Sequence, residues 1–271
     1  IGTGRIAARF APETHFVSGI VLNSVYNPYR KQAEKFATRY GLELYSEEIT
    51  EFLEPIDAVY IASPHETHYG YAKQALLMGK HVLCEKPMTL KEEEARELFR
   101  IAEERNCVLL EAIKTAFCPG FQRLLSIAKS GSIGQICDVE ACFTRLTGEN
   151  TRERTDKAYG GSFLEFGSQT LLPIFKLMGT EYKEIRFDSI CDKNGIDLYT
   201  KAYLSYENGM ALSKSGVAVK SEGQLLISGT KGYILAESPW WLTKSFEVRY
   251  EDPNKKDTYT AKFLGDGLRY E

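Results

Sequence analysis

Apolar residues recur along the first part of the chain in two alternating rhythms, one helical and one extended. After Gly2-Thr3-Gly4-Arg5-Ile6-Ala7 a short helix is predicted, and residues 17–26 (VSGIVLNSVY) read as a buried strand because Val, Ile and Leu crowd it. Ala33, Phe36, Ala37 and Tyr40 follow at helical spacing, with Gly41 as the stop. Residues 57–64 (DAVYIASP) form the next predicted strand, 67–78 a helix closed by Gly79, and 81–87 (HVLCEKP) another strand. Thr89 and Glu92 have the spacing of a capping box for a helix that carries Ala95, Leu98, Phe99 and Ala102 on one face. Residues 108–113 (VLLEAI) close the run as a strand. Strands alternating with helices of this length predict βαβ units and a parallel sheet. Right-handed crossovers then put every strand's C-terminal end on one rim, where ligands bind. That rim collects GTGR, SPHETH, EKP and EAIK.

The rhythm changes near Ile113. A helix is predicted over 119–130, then an alternating strand with Val139, Ala141 and Phe143 on one face and Asp138, Glu140 and Thr144 on the other. Residues 162–178 read as a helix that Pro173 is expected to kink. Period-two stretches follow at 199–206, 210–217, 224–228, 233–236 and 246–250, separated by turns such as Glu207-Asn208-Gly209. The expected fold class is α/β: an N-terminal Rossmann parallel sheet over residues 1–113, and a C-terminal α+β domain with a mostly antiparallel open sheet over 114–271. IGTG reads as the end of a strand begun upstream, and GDGLRYE as the entry to a further element. The chain is therefore expected to be part of something longer.

Composition narrows the partners. Of 271 residues, 34 are basic and 37 acidic, a net charge of −3, and no basic run suggests a nucleic-acid or anionic-membrane surface. No apolar run reaches the roughly 20 residues that span a bilayer. The six cysteines (84, 107, 118, 137, 142, 191) form no CxxC pair and no His-bearing metal pattern, so no metal is expected. Reduced, mostly buried thiols in a cytoplasmic protein fit them. A small molecule is the expected partner.

Gly2-Thr3-Gly4-Arg5-Ile6-Ala7 fits the G-x-G-x-x-G/A dinucleotide loop. The first Gly permits a tight turn, the second lets backbone approach a pyrophosphate, and the small third residue packs helix on strand. The next expected signal, an acidic residue about 20 positions on that grips the ribose hydroxyls, is missing. No Asp or Glu occurs from Thr14 to Ala33, whereas Arg30 and Lys31 are present. Cations without a carboxylate suit a 2′-phosphate, so the cofactor reading is NAD(P) with a lean to NADP. Arg30 and Lys31 at the start of a solvated helix are the alternative. Tyr26, Asn27 and Arg30 are the candidate contacts on this side.

The combination of GTGRIA, DAVYIASPHETH, GKHVLCEKP and EAIK, with the later Gly229-Thr230-Lys231-Gly232 turn, resembles the Gfo/Idh/MocA oxidoreductases. That family includes glucose–fructose oxidoreductase, inositol dehydrogenase and dimeric dihydrodiol dehydrogenase. The resemblance implies that Lys86 reaches the nicotinamide and the reacting hydroxyl, that Glu85 orients it, and that Pro87 fixes the turn. Hydride transfer between alcohol and carbonyl needs a group to manage the hydroxyl proton, which suits a lysine beside a cationic nicotinamide. Ser63-Pro64-His65 and His68 occupy the family's T-P-N-x-x-H position against the nicotinamide ribose, with His65 in place of Asn. In the G-G-x-L-x-D-x-G-x-H/Y signature, Glu165 stands for Asp and Gln169 for His or Tyr. Gln169 hydrogen-bonds but exchanges no proton at neutral pH. Lys114 is expected at the substrate end of the cleft. Arg145, Arg152 and Arg154 read either as an anion clamp or as a loop coating. Trp240-Trp241 reads as a sugar-stacking wall, an interface plug or core.

The expected function is an NAD(P)-dependent dehydrogenase or reductase acting on CH–OH groups of a sugar, polyol or cyclic diol. The candidate catalytic residues are Lys86, Glu165 and Gln169. The candidate cofactor residues are Gly2, Thr3, Gly4, Arg5, Ile6, Tyr26, Asn27, Arg30, Ser63, Pro64, His65, His68, Glu85 and Lys86. The alternative is a catalytically lapsed NAD(P)-binding regulator, motivated by Gln169. A homodimer or homotetramer through the C-terminal sheet is implied by the resemblance.

Overall fold

The computed structural model describes residues 1–271, which divide into two units, Ile1–Lys114 with Gly265–Glu271, and Thr115–Leu264. The first unit alternates helix and strand: α1 (Arg5–Glu13), β1 (Ser24–Tyr26), α2 (Arg30–Tyr40), β2 (Leu44–Ser46), α3 (Ile49–Leu53), β3 (Ala58–Ile61), α4 (His68–Leu77), β4 (His81–Glu85), α5 (Glu92–Glu104) and β5 (Leu109–Ala112). β1 pairs with β2, and β4 lies between β3 and β5, all in parallel. Ile1 and Gly2 bridge the two ladders: Gly2 N–H donates to Tyr26 O, Ala62 N–H donates to Ile1 O, and Ile1 N donates to Tyr60 O. Ala7 and Ala11 of α1 pack with Val25, Ala33, Phe36 and Ala37 in one apolar cluster. A second cluster joins α4 and α5 to β3 and β4 through Ile61, Leu76, Val82 and Leu98.

Three expectations need correction here. The strand predicted over 17–26 shrinks to Ser24–Tyr26, its only stretch with a ladder partner; Ile20 and Val21 are 50% and 88% exposed. Thr89 caps no helix, because α5 starts at Glu92 behind Lys91, and the Thr89 hydroxyl donates to Lys91 O instead. Lys114 and Gly265–Glu271, placed by sequence with the second domain, group with the first unit. The Glu13 carboxylate holds the 265–271 segment by accepting both a bidentate pair from Arg269, at 2.7 and 2.9 Å, and the Asp266 N–H; Arg9 binds Asp266 at 2.8 Å, and Lys114 joins through Asp266 O.

After the single turn α6 (Lys114–Phe117), the second unit contains α7 (Pro119–Lys129), β6 (Ile136–Thr144), α8 (Arg152–Thr155), α9 (Ser162–Met178), β7 (Glu184–Cys191), β8 (Asp197–Tyr206), β9 (Gly209–Gly216), β10 (Leu225–Gly229), β11 (Gly232–Ala236), β12 (Ser245–Tyr250) and β13 (Lys256–Thr260). The sheet order is β13-β12-β11-β10-β6-β9-β8-β7, and only β6–β9 is parallel. Register places Val248, Ile234, Ile227, Val139, Ala211 and Leu204 in one buried row across the sheet. α9 lies on β6, β8 and β9 with Phe166, Thr170 and Ile174 buried. The helix runs through Pro173 as one segment. No helix of the chain is long and apolar enough to cross a membrane.

One ion pair yields a stability prediction. Burial pushes the Glu222 carboxyl up, but hydrogen bonds from Lys214 and Ser221 outweigh it and bring it down to about 2. A carboxyl depressed in the folded state stabilises above its unfolded value near 4.3, and that contribution fades as pH falls from about 5 toward 2. Glu222 is 39% exposed, so screening cuts the gain to about 1 kcal/mol. Glu222→Gln is expected to cost that much in urea unfolding at about pH 7 and clearly less at about pH 3. An equal cost at both would remove the ion-pair explanation.

Candidate active site

The glycine loop leaves room for an anion. Gly2 has φ +97°, and a Cβ there would sit 2.6 Å from Ala62 O, so only glycine lets the loop pass β3's end. Gly4 is the N-cap of α1, donates no side-chain cap and leaves open space where a Cβ would stand. The first turn of α1 contains no acidic residue. Its leading N–H groups thus meet no protein carboxylate and are disposed to receive a phosphate. Buried Ala7 takes the third small position. These features fit a dinucleotide pyrophosphate. Arg5 and Ile6 open the helix, Arg5 exposed and Ile6 half-buried.

Strand register aligns the remaining loops. Ile61 pairs with Cys84, and Cys84 pairs with Glu111, so Ser63, Lys86 and Ile113 each lie two residues past the same rung. Lys86 precedes Pro87 through a cis peptide bond, and both follow the last residue of β4. Glu85 accepts a 2.6 Å hydrogen bond from the Tyr60 hydroxyl. Burial raises the Glu85 carboxyl above its usual range, against Tyr60 and the nearby Lys86 and Lys114. Burial likewise raises Glu111, whose Oε1 accepts the Met88 N–H at 3.0 Å and which also feels Lys86. Lys86 therefore stands in the field of two desolvated carboxyls. The sequence singles out neither Tyr60 nor Glu111: EAIK falls on the rim, but nothing local marks Glu111 as the clasp of the cis turn.

The Ser63 loop is knitted locally. Ser63 Oγ meets Thr67 Oγ1 at 2.7 Å, and Thr67 Oγ1 donates to Pro64 O at 2.7 Å. Pro64 is exposed and His65 half-buried, its ring 5.7 Å from that of His68. His68 itself is fully buried. Tyr26 is also core: its ring packs on Phe52 and Tyr71, and burial pushes its phenol up to about 12. Asn27 donates to Thr3 Oγ1 at 2.8 Å and to Gln32 Oε1 at 3.2 Å, so a neutral amide–hydroxyl cluster lies beside the glycine loop. Gln32 is a further residue the sequence did not single out. Arg30 contacts Glu47 at 3.4 Å and lies over the Tyr45 ring. Lys114 donates to Asp266 O at 2.7 Å, tying it to the 265–271 segment.

Within the second unit, Gly160-Gly161 opens α9. Gly161 has φ +108°, and a Cβ there would collide with Asp197 Oδ1. Asp197, reaching from β8, accepts from Ser162 Oγ, Phe163 N and Thr200 Oγ1 at 2.6, 2.9 and 2.8 Å, and so caps the helix. Glu165 and Gln169, both half-buried, fall four apart on α9 and share a face. Arg145 Nη2 lies 3.5 Å from Glu153 and 3.8 Å from Glu165. Arg152 pairs with Asp156, and Arg154 donates to Thr147 O. Trp240 is core, donating from Nε1 to Cys142 O at 2.8 Å, and Trp241 packs on Phe143. A mostly apolar cavity of about 620 Å³ in the first unit is lined by residues such as Phe10, Leu22, Val59 and Leu268; it touches Gly2, Ala7 and Tyr60 but not Ser63 or Lys86.

A family model described as an oxidoreductase family with an NAD-binding Rossmann fold matches residues 1–113. The chain is 27% identical over 260 residues to scyllo-inositol 2-dehydrogenase (NADP(+)) IolU of Bacillus subtilis, covering 93% of this chain and 79% of that protein. It is 30% identical over 228 residues to trans-1,2-dihydrobenzene-1,2-diol dehydrogenase of Bos taurus, covering 80% and 67%. A 3-ketoreductase from Actinomadura kijaniata, solved with NADP and TDP-benzene, superposes with a TM-score of 0.84 at 21% identity, over 99% of this chain and 85% of that one. That last likeness speaks for the fold.

Proposed function

As this chain belongs to the Gfo/Idh/MocA family of oxidoreductases, we propose that it moves a hydride between NADP and a secondary alcohol of a sugar, polyol or cyclic diol, with Lys86 as its proton carrier. The observation that carries the reading is the common level of Ser63 and Lys86 on neighbouring strands, beside a glycine loop and an uncapped helix start. Gly2, Thr3, Gly4, Arg5 and Ile6 would hold the pyrophosphate, and Ser63, Pro64 and His65 the nicotinamide ribose. When bound, the nicotinamide supplies or accepts the hydride. Lys86 Nζ gives a proton to the carbonyl oxygen in reduction, or takes it from the hydroxyl in oxidation. Glu85, fixed by Tyr60, holds Lys86 in place electrostatically. Gln169, on α9 of the second unit, is assigned a hydrogen-bonding role, and Glu165 a role in orienting Arg145, 3.8 Å away.

The lean to NADP rests on the neutral Thr3–Asn27–Gln32 cluster, which itself contains no carboxylate to repel a 2′-phosphate, and on the exposed Arg30, which would exchange its partner Glu47 for that phosphate. The Bacillus relative named for NADP(+) supports it. The test is steady-state turnover of NADPH and NADH against a panel of sugars, polyols and diketones. Turnover with some member, and a kcat/KM ratio for NADPH over NADH above one, is expected. A ratio at or below one removes the NADP preference. Tight binding of either cofactor with no turnover across the panel would support the lapsed, regulatory reading.

A further inference from the structure

We infer that His68 is a positioning residue that locks the Lys86–Pro87 turn to the Ser63 loop, setting the proton carrier in register with the cofactor's ribose loop. This rests on the dehydrogenase reading above. His68 opens α4 and is 0% exposed, so its ring touches no solvent. Nδ1 lies 2.8 Å from Pro87 O, and Nε2 lies 2.9 Å from Ser63 O. One rigid ring therefore spans the two loops that leave β3 and β4.

The place matters because the β3–β4 ladder ends at Ile61 and Cys84. Beyond that rung the loops leave the ladder that set their spacing, and the candidate chemistry lies just there. Both partners of the ring are carbonyls, which only accept. An imidazolium donates to both at once, whereas neutral imidazole donates to one and turns a lone pair on the other. Burial lowers the ring's proton affinity and Lys86 adds to that, while the two carbonyls and Glu66 act the other way. The protonated ring ties both carbonyls, and the neutral ring ties one while meeting the other by packing alone, so in both forms it stands between Ser63 O and Pro87 O. A side chain that merely filled the space would have no need of a nitrogen facing each carbonyl.

The test compares wild type, His68→Phe and His68→Ala by thermal unfolding, NADPH binding and steady-state kinetics. Both variants are expected to fold and to bind NADPH within about fivefold of wild type. kcat is expected to fall about 100-fold in each, the scale of loss when reacting groups are displaced by roughly an ångström. Imidazole at tens of millimolar should recover at least about tenfold in His68→Ala and nothing in His68→Phe. Wild-type kcat in His68→Phe, or a loss confined to cofactor affinity with kcat unchanged, overturns the inference. Should neither variant fold, the unmodified protein decides: a slowly exchanging His68 ring N–H in a ¹⁵N spectrum supports the bridge, and rapid exchange overturns it. A wild type that binds no pyridine nucleotide sinks the dehydrogenase reading and this inference with it. An active wild type with undiminished His68 variants sinks this inference alone.

Discussion

Lys86→Ala is expected to lower kcat by about a thousandfold while leaving a cooperatively folded protein that still binds NADPH. The magnitude is that of a positioned acid–base group, which contributes about 10²–10⁴. The competing account makes Lys86 only a counter-charge to Glu85 and Glu111. Under that account, removal leaves two desolvated carboxyls, which burial already raises toward neutrality, so they take up protons rather than remain charged. The expected loss of stability is then about 1 kcal/mol on either view, and kcat separates them. Lys86→Arg sharpens the contrast. A guanidinium keeps the positive charge beside both carboxyls but does not release its proton in the working pH range. It should restore the melting temperature and leave kcat near the alanine level. An arginine variant with wild-type turnover, or an alanine variant with undiminished kcat, ends the assignment of Lys86 as proton carrier.

What the sequence disclosed and what it hid follow from the range of the interactions involved. Val139, Ala141 and Phe143 alternate because β6 has one buried face, so the strand and its inward side are legible in the residues themselves. β7 and β13 are almost wholly exposed edge strands, and neither was expected: β7 alternates Ile185 and Phe187 with Glu184, Arg186 and Asp188 over a few residues only, and β13 carries no apolar alternation. The strand predicted over 17–26 failed for a related reason: apolar composition promised burial, but the ladder extends over three residues only. The glycine loop and the Lys86 turn were legible because a fixed backbone shape demands particular residue types. The Tyr60–Glu85 bond and the Glu111–Met88 clasp were not, since each joins side chains and backbone brought together by strand register. Farther still, Arg9 finds Asp266 and Glu13 finds Arg269 across most of the chain, a pairing that no local pattern carries.

Gly2→Ala and Gly4→Ala should separate two duties that the motif fuses. At Gly2 a methyl group would meet Ala62 O at 2.6 Å and Ser63 N at 3.1 Å, both backbone, in a conformation with φ +97°. Neither neighbour can rotate away, and the positive φ adds strain of about 1–3 kcal/mol. The variant is expected to lose about 3 kcal/mol of stability and to push the Ser63 loop outward, weakening NADPH at least about 100-fold. Gly4 differs: its φ of −76° suits any residue, and nothing lies within 4 Å of the added methyl. Stability should therefore change by no more than about 1 kcal/mol, the scale of an N-cap substitution. Yet the methyl would project at the start of α1, where backbone must approach the pyrophosphate, so NADPH should bind at least about tenfold more weakly. Calorimetric titration and thermal unfolding of both variants make the comparison. If Gly4→Ala bound NADPH as tightly as wild type, the α1 N-terminus would not be the phosphate cradle, whatever Gly2→Ala did, because only at Gly4 does a loss of affinity carry no loss of fold.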